Sequence, residues 1–248
     1  MDVLLADMFQ PSFWVAVGQI IGVNVILSGD NAVVIALACH TLPPRQRLWG
    51  MILGAGVAVL LRVFFTLIVA QAMGYPYLKV VGGLLLLYVA IKLVVPESGD
   101  GHKVTPGETL WRAVRIVAIA DIVMSLDNVI AIAASAETAA ARVDLAHAAT
   151  IKTTLIIFGL ATSVPLIVAG SALLMAAMER YPILVWAGAA LLGWVAGDIM
   201  IKDTAVEQWF GPGFVESAHY WAAAGGAALV VGAGYLMMRI RRPGEEQV

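Results

Sequence analysis

The sequence predicts an all-α membrane protein of seven transmembrane helices, the first six forming an inverted 3+3 repeat with a seventh helix outside it. Three observations carry that prediction: composition, the lengths of the apolar runs, and an internal duplication. Of 248 residues, 61% are hydrophobic and 13% charged, with a mean hydropathy of +0.90. A soluble domain carries about 25% charged residues. The net charge of −2 gives no basis for binding nucleic acid. A single cysteine, Cys39, excludes an internal disulfide and a paired-cysteine metal site. From Met1 to Ser12 there are two acids, Asp2 and Asp7, and no Lys or Arg. The first apolar run therefore lacks the basic flank of a cleavable leader and is expected to span.

A spanning helix needs roughly 20 apolar residues. Seven runs meet that length: Phe13–Ala38, Leu48–Met73, Pro76–Val95, Leu110–Ala136, Thr150–Met178, Pro182–Ile201 and Tyr220–Ile240. Pro43-Pro44 separates the first two, and Gly74-Tyr75-Pro76 forces a tight turn before the third. Gly211-Pro212-Gly213 marks the last loop, where Trp209, Phe210 and Phe214 suit a membrane interface. The organisation expected is a first three-helix repeat over 1–95 and a cytoplasmic linker over 96–109. A second, inverted repeat follows over 110–202, and 203–248 holds a loop, the seventh helix and a basic cytoplasmic tail. Gly18/Gly22, Gly50/Gly54 and Gly193/Gly197 have the spacing of close helix packing.

Charge placement sets the orientation. One side collects Arg45, Arg47, Lys103, Arg112, Arg115, Arg180, Arg239, Arg241 and Arg242; the other has Arg142, Lys152 and Lys202. Lys and Arg accumulate on the cytoplasmic side. The N-terminus is thus expected outside and the C-terminus inside a plasma (inner) membrane.

The duplication is read from two stretches 97 positions apart, Ser28-Gly29-Asp30-Asn31 and Ser125-Leu126-Asp127-Asn128. Each sits inside an apolar run. The third span of each half also repeats: Tyr75-Pro76 recurs as Tyr181-Pro182, and Gly82, Leu85, Leu86, Val89 and Ala90 recur as Gly188, Leu191, Leu192, Val195 and Ala196. Three spans per repeat is an odd number, so the second copy enters from the opposite face. Secondary transporters are commonly built this way, with the binding site at mid-membrane between the repeats.

The polar residues inside these runs are the candidate site. An aspartate at the centre of a membrane helix costs about 2.5–3.5 kcal/mol on insertion scales. Asp30, Asp121 and Asp127 offer carboxylates; Asn24, Asn31 and Asn128 offer amides; Ser28 and Ser125 offer hydroxyls. On straight helices Asn24, Ser28 and Asn31 share one face, as do Asp121, Ser125 and Asn128, while Asp30 and Asp127 fall about 120° away. Both helices are therefore expected to unwind near the Ser-x-Asp-Asn stretch, freeing backbone carbonyls as further ligands. Hard divalent cations, Mn²⁺, Mg²⁺ or Ca²⁺, suit such oxygen ligands, and the three ions' ligand sets overlap. No prosthetic group is expected; the ion is cargo. Three carboxylates together must shed protons to bind a metal, so metal and proton compete for the same oxygens. Asp121 is the expected proton carrier, because its repeat partner is the neutral Asn24. Arg62, midway along the second span, is the expected charge partner or gate.

The paired Ser-Gly-Asp-Asn and Ser-Leu-Asp-Asn stretches, in a three-plus-three duplication with a seventh helix, resemble the TerC family of integral membrane proteins. The likeness is to the short form and covers nearly the whole chain. It implies membership of the wider LysE-like transporter group and Mn²⁺ export. Carried over by position, it implies metal binding by Asp30, Asn31, Asp121, Asp127 and Asn128; Asn24, Ser28 and Ser125 are the supporting polar groups of the residue reading above. Longer members carry an acid six positions before the first-repeat aspartate, where this chain has Asn24.

Other classes compete. Two membrane aspartates can form an intramembrane aspartyl protease, whose carboxylates share a proton. Here the first motif, Leu27-Ser28-Gly29-Asp30, lacks the first Gly of the Gly-x-Gly-Asp pattern. A metal-responsive or partner-binding membrane protein that does not transport is the other alternative. The lipid bilayer and a divalent ion are the partners expected; a homo-oligomer is left open.

Overall fold

Backbone groups in lipid must find their partners within the segment, which restricts apolar spans to helices or closed barrels. The computed structural model describes residues 9–69, 75–95, 106–144 and 147–241, excluding the side chains of residues 68, 69, 106–108, 126, 127 and 241. Every element among the described residues is helical: α1 Pro11–Ile26, α2 Gly29–His40, α3 Pro44–Phe64, α4 Leu78–Val94, α5 Pro106–Val143, α6 Ala148–Arg180, α7 Ile183–Ile201, α8 Thr204–Phe210 and α9 Pro212–Arg241. A π-helical turn, Phe65–Val69, continues α3.

Among the described residues, four helices are long and apolar enough to cross a membrane: Pro44–Leu67, Ala148–Arg180, Ile183–Ile201 and Pro212–Ile240. Two bent pairs, Pro11–Ile26 with Gly29–His40 and Thr109–Ser125 with Asn128–Val143, bring the number to six if each is one span. The third expected span is the exception. α4 has 17 residues, about 26 Å at 1.5 Å per residue against a hydrocarbon core near 30 Å. Most of the expected linker, and the basic tail beyond Arg241, lie outside the described residues. The seventh helix starts earlier than expected. Gly211 turns the chain at φ +81, and Pro212 opens α9, where its missing N–H costs nothing.

Contacts run mainly between the two halves of the sequence. α3 packs on α5, α1 and α2 on α6, and α4 on α7, with α9 against α7 and α4. The pairing is set by small residues. A Cβ on Gly54 of α3 would lie 3.4 Å from Val117 of α5, and one on Gly159 of α6 would lie 2.7 Å from Ile20 of α1. Ile20 and Val117 are themselves 97 positions apart, so one contact is made twice, once from each half.

Gly193 and Gly197 let α7 and α9 meet backbone to backbone. A Cβ on Gly193 would sit 2.5 Å from the Gly226 carbonyl, and one on Gly197 would meet the Ala222 carbonyl. Gly18 and Gly22, expected to pack, have nothing within 4 Å. Gly197→Leu should therefore prise α9 from α7 and cost about 1–3 kcal/mol by overpacking. The check is a lowered thermal midpoint, with Gly18→Leu near the parent's value.

Outside the spans, one carboxylate fastens two helix starts. Asp203, fully buried, accepts the N–H groups of Tyr77 (2.8 Å), Lys79 (2.9 Å) and Val80 (3.2 Å) at the start of α4, and of Ala205 (2.8 Å) in α8. These are the orphan donors that any helix leaves at its first turn. They hold Tyr77 at φ 67, a left-handed conformation that is uncommon for a side chain of this size. Its ring packs edge-on against Trp209, centroids 5.9 Å apart.

Candidate functional site

The two duplicated stretches bend the helices that carry them, in different ways. In the first, α1 ends at Ile26 and α2 begins at Gly29, the axes diverging by 55°. The Ser28 N–H reaches back only three residues, to the Val25 carbonyl at 3.3 Å, and Ser28 sits at φ −115, ψ 7. In the second, α5 stays helical while turning by 63° between Ser125 and Asn128. The expectation that both helices unwind is thus met in the first and corrected in the second. The difference lies in one residue. Gly29 stands where the second copy has Leu126, and Gly favours the helix by about 0.8–1.0 kcal/mol less than Ala, while Leu is close to Ala.

Below these bends the polar residues form a closed network around Arg62. Arg62 is 1% exposed, and its side chain leans into the space between α1 and α5. Its Nη1 donates to Asn24 Oδ1 at 2.7 Å and to Ser28 Oγ. Its Nη2 donates to Asp121 Oδ1 at 2.8 Å, and its Nε approaches Ser125 Oγ at 3.5 Å. The hydroxyls close the ring: Ser28 donates to Asn24 Oδ1 at 3.2 Å, and Ser125 donates to Asp121 Oδ2 at 3.1 Å. Asn24 Nδ2 donates to Ser163 of α6, whose hydroxyl in turn donates to the Leu160 carbonyl. Thr66, in the π-helical turn, donates to the Arg62 carbonyl at 2.7 Å. Asn24 and Asp121 are 97 positions apart, as are Ser28 and Ser125. One guanidinium therefore satisfies the matching residues of both halves. Asp121 and Arg62 are buried equally, each side chain 2% exposed. A buried pair of this kind has nowhere else to place its charges.

Beyond the bends the picture reverses. Asn31 is 4% exposed, yet among the described residues neither its amide oxygen nor its amide nitrogen has a hydrogen-bond partner. An unmade bond to a buried polar group costs about 1–3 kcal/mol. Asp30, partly buried in the first turn of α2, accepts the Asn31 N–H at 2.8 Å. Asn128 crosses between the halves, its Nδ2 donating to the Leu27 carbonyl at 2.9 Å, a backbone oxygen at the break in the first span. Asp127 follows the bend in α5; its side chain lies outside the described residues. Among the described residues, no three His, Cys, Asp or Glu side chains converge as a metal-binding group.

The candidates thus separate into two tiers. Asn24, Ser28, Asp121 and Ser125 are joined through Arg62. Asp30, Asn31 and Asn128 lie at the Leu27–Gly29 break, where the Asn31 amide has unmet capacity. Sequence reasoning missed Ser163, because a lone serine in an apolar span gives no distinguishing signal. It anticipated backbone carbonyls at the break without saying which; the Leu27 carbonyl is the one Asn128 reaches.

Comparison with known proteins fits this architecture. The family described as integral membrane protein TerC matches residues 9–244. This chain belongs to the TerC family. As a TerC protein it is a multi-pass integral membrane protein. It is 38% identical over 184 residues to the uncharacterized membrane protein YjbE of Bacillus subtilis (strain 168), covering 74% of this chain and 78% of YjbE. It is 30% identical over 123 residues to YkoY of the same organism, covering 48% of this chain and 38% of YkoY. It is 27% identical over 143 residues to the UPF0053 inner membrane protein YoaE of Escherichia coli (strain K12), covering 50% of this chain and 27% of YoaE. No solved structure matches.

Proposed function

We propose that this TerC protein is a secondary transporter of a hard divalent metal ion, most simply Mn²⁺. Its architecture would be seven helices, two inverted three-helix repeats and an added helix. The recurrence of the Gly54–Val117 contact as Gly159–Ile20 supports that reading. The ion would be held at mid-membrane by Asp30, Asn31, Asp127 and Asn128 together with the Leu27 carbonyl. The observation that carries the proposal is the Asn31 side-chain amide, buried next to Asp30 at a helix break with neither polar atom partnered among the described residues. Carboxylate, amide and carbonyl oxygens are the ligands that Mn²⁺, Mg²⁺ and Ca²⁺ prefer. Mn²⁺ itself rests on the family likeness.

Asp121 was expected to bind the metal and carry the proton. The engagement of Asp121 by Arg62 and Ser125 favours a ligand set without it. Asp30 and Asp127 are left to exchange metal for protons, since bound carboxylates must be ionised. Export from the cytoplasm, placement in the inner membrane and an external N-terminus complete the proposal; the charge distribution supports the last.

The test is flux. Purified protein in proteoliposomes should move Mn²⁺ down its gradient, faster when a proton gradient opposes the metal. Apparent Mn²⁺ affinity should rise between about pH 5 and 8, because protons vacate the ligands as pH rises. No flux of Mn²⁺, Mg²⁺ or Ca²⁺ under any gradient would leave a metal-responsive protein that does not transport.

A further inference from the structure

The Arg62 network asks why a cation-binding protein should bury a permanent cation in its centre. An arginine stays charged at any physiological pH. Burying one costs several kcal/mol unless paired and fully hydrogen-bonded. Here four of its five donors are directed at side chains, and the only carboxylate among them is Asp121. Asn24, at the position matching Asp121, is neutral and accepts rather than repels. The network is therefore an internal salt, closed and buried.

The charges among the candidate site residues can then be counted. Asp30, Asp121 and Asp127 contribute three negative charges and Arg62 one positive. The remainder is two negative charges, which one divalent cation neutralises. We propose that Arg62 is a specificity-determining residue. By pairing with Asp121 it fixes the charge of the neighbouring ion site at the value a divalent ion requires. This rests on the reading that Asp30 and Asp127 hold the ion. Arg62 does not touch the ion; it acts through Asp121, with which it is paired at 2.8 Å, and through its field at the neighbouring site. In a poorly solvated interior such a field is screened far less than at a surface.

The experiment is equilibrium Mn²⁺ binding to the full chain in nanodiscs, with thermal unfolding of each variant alongside. Asp121→Asn leaves the guanidinium uncompensated and the site one charge short, so Mn²⁺ affinity should fall at least tenfold. The double variant Arg62→Gln/Asp121→Asn restores the two-charge balance, and its Mn²⁺ affinity should return to within about threefold of wild type. Arg62→Gln alone leaves an extra negative charge, so La³⁺ should displace Mn²⁺ at least tenfold more effectively than from wild type.

A double variant as weak as Asp121→Asn would make Asp121 a direct ligand and overturn the inference. A double variant that binds tenfold tighter than wild type would make Arg62 a competitor for the site and overturn it too. Unchanged Mn²⁺ binding by folded Asp121→Asn would reduce the pair to a structural brace. If a single variant does not fold, wild type and the double variant decide between themselves, a tenfold loss being fatal. Absence of Mn²⁺ binding by folded wild type would instead remove the transporter site on which the inference stands.

Discussion

Asp127→Ala is expected to abolish Mn²⁺ binding, with affinity falling at least a hundredfold, about 2.8 kcal/mol, while the protein still inserts and folds. The expectation follows from position. Asp127 matches Asp30 at a distance of 97 positions, and its neighbour Asn128 reaches across to the Leu27 carbonyl at the break beside Asp30. An aspartate placed there is costly to bury, so its removal should relieve the apo protein. Titration of Mn²⁺ into the purified variant, with thermal unfolding in parallel, checks both parts. A variant that binds Mn²⁺ like the parent would remove Asp127 from the site. A variant that unfolds far below the parent would give Asp127 a structural role.

Asp203→Ala should destabilise the protein by about 3–5 kcal/mol, without altering metal affinity. The estimate adds the desolvation penalties of several backbone donors, at about 1–3 kcal/mol each, less what water recovers at this membrane-edge position. Both α4 and α8 lose their N-terminal acceptor at once. A pH dependence accompanies it. Burial pushes the Asp203 carboxyl up, but the N–H groups of Ala205, Tyr77, Val80 and Lys79 outweigh this and hold it below the usual range. A group depressed in the folded state adds stability above the unfolded aspartate value, near 3.9, and loses it as pH falls through the folded value. Wild type should therefore lose stability more steeply than Asp203→Ala as pH falls below about 4. Thermal unfolding of both proteins across that range is the measurement, and parallel curves would remove the carboxylate from the account.

What could be read in the sequence depended on period and on cost. The helices followed from apolar runs of spanning length, and the break at Leu27–Ser28 from three polar residues that no straight helix can aim together. Matching residues in the two halves exposed the candidate site. The sorting of that site into two tiers was not legible, because it depends on the reach of Arg62. Its guanidinium can pair with any of three aspartates, and helical spacing alone does not say which helix faces α3. Asp203 escaped notice for a related reason. An aspartate before Thr204 suggests a cap for the short helix that follows, but its hold on α4, more than 120 residues earlier, exists only in the fold. Leu126 misled in the other direction. Its neighbours repeat those of Gly29, yet a strong helix former kept α5 continuous through a bend that broke the first span.

That inequality gives the two halves different mechanical characters. Where α1 meets α2, the regular hydrogen-bond ladder is already interrupted, so changing the angle between them sacrifices little that is not already lost. Where α5 turns, the helix remains continuous, and altering the angle means stretching bonds still in place. Deformation of the pair will concentrate in the compliant member. The first span is a hinge and the fourth a leaf spring, so motion at the centre of the protein is lopsided, however closely its two halves match in sequence.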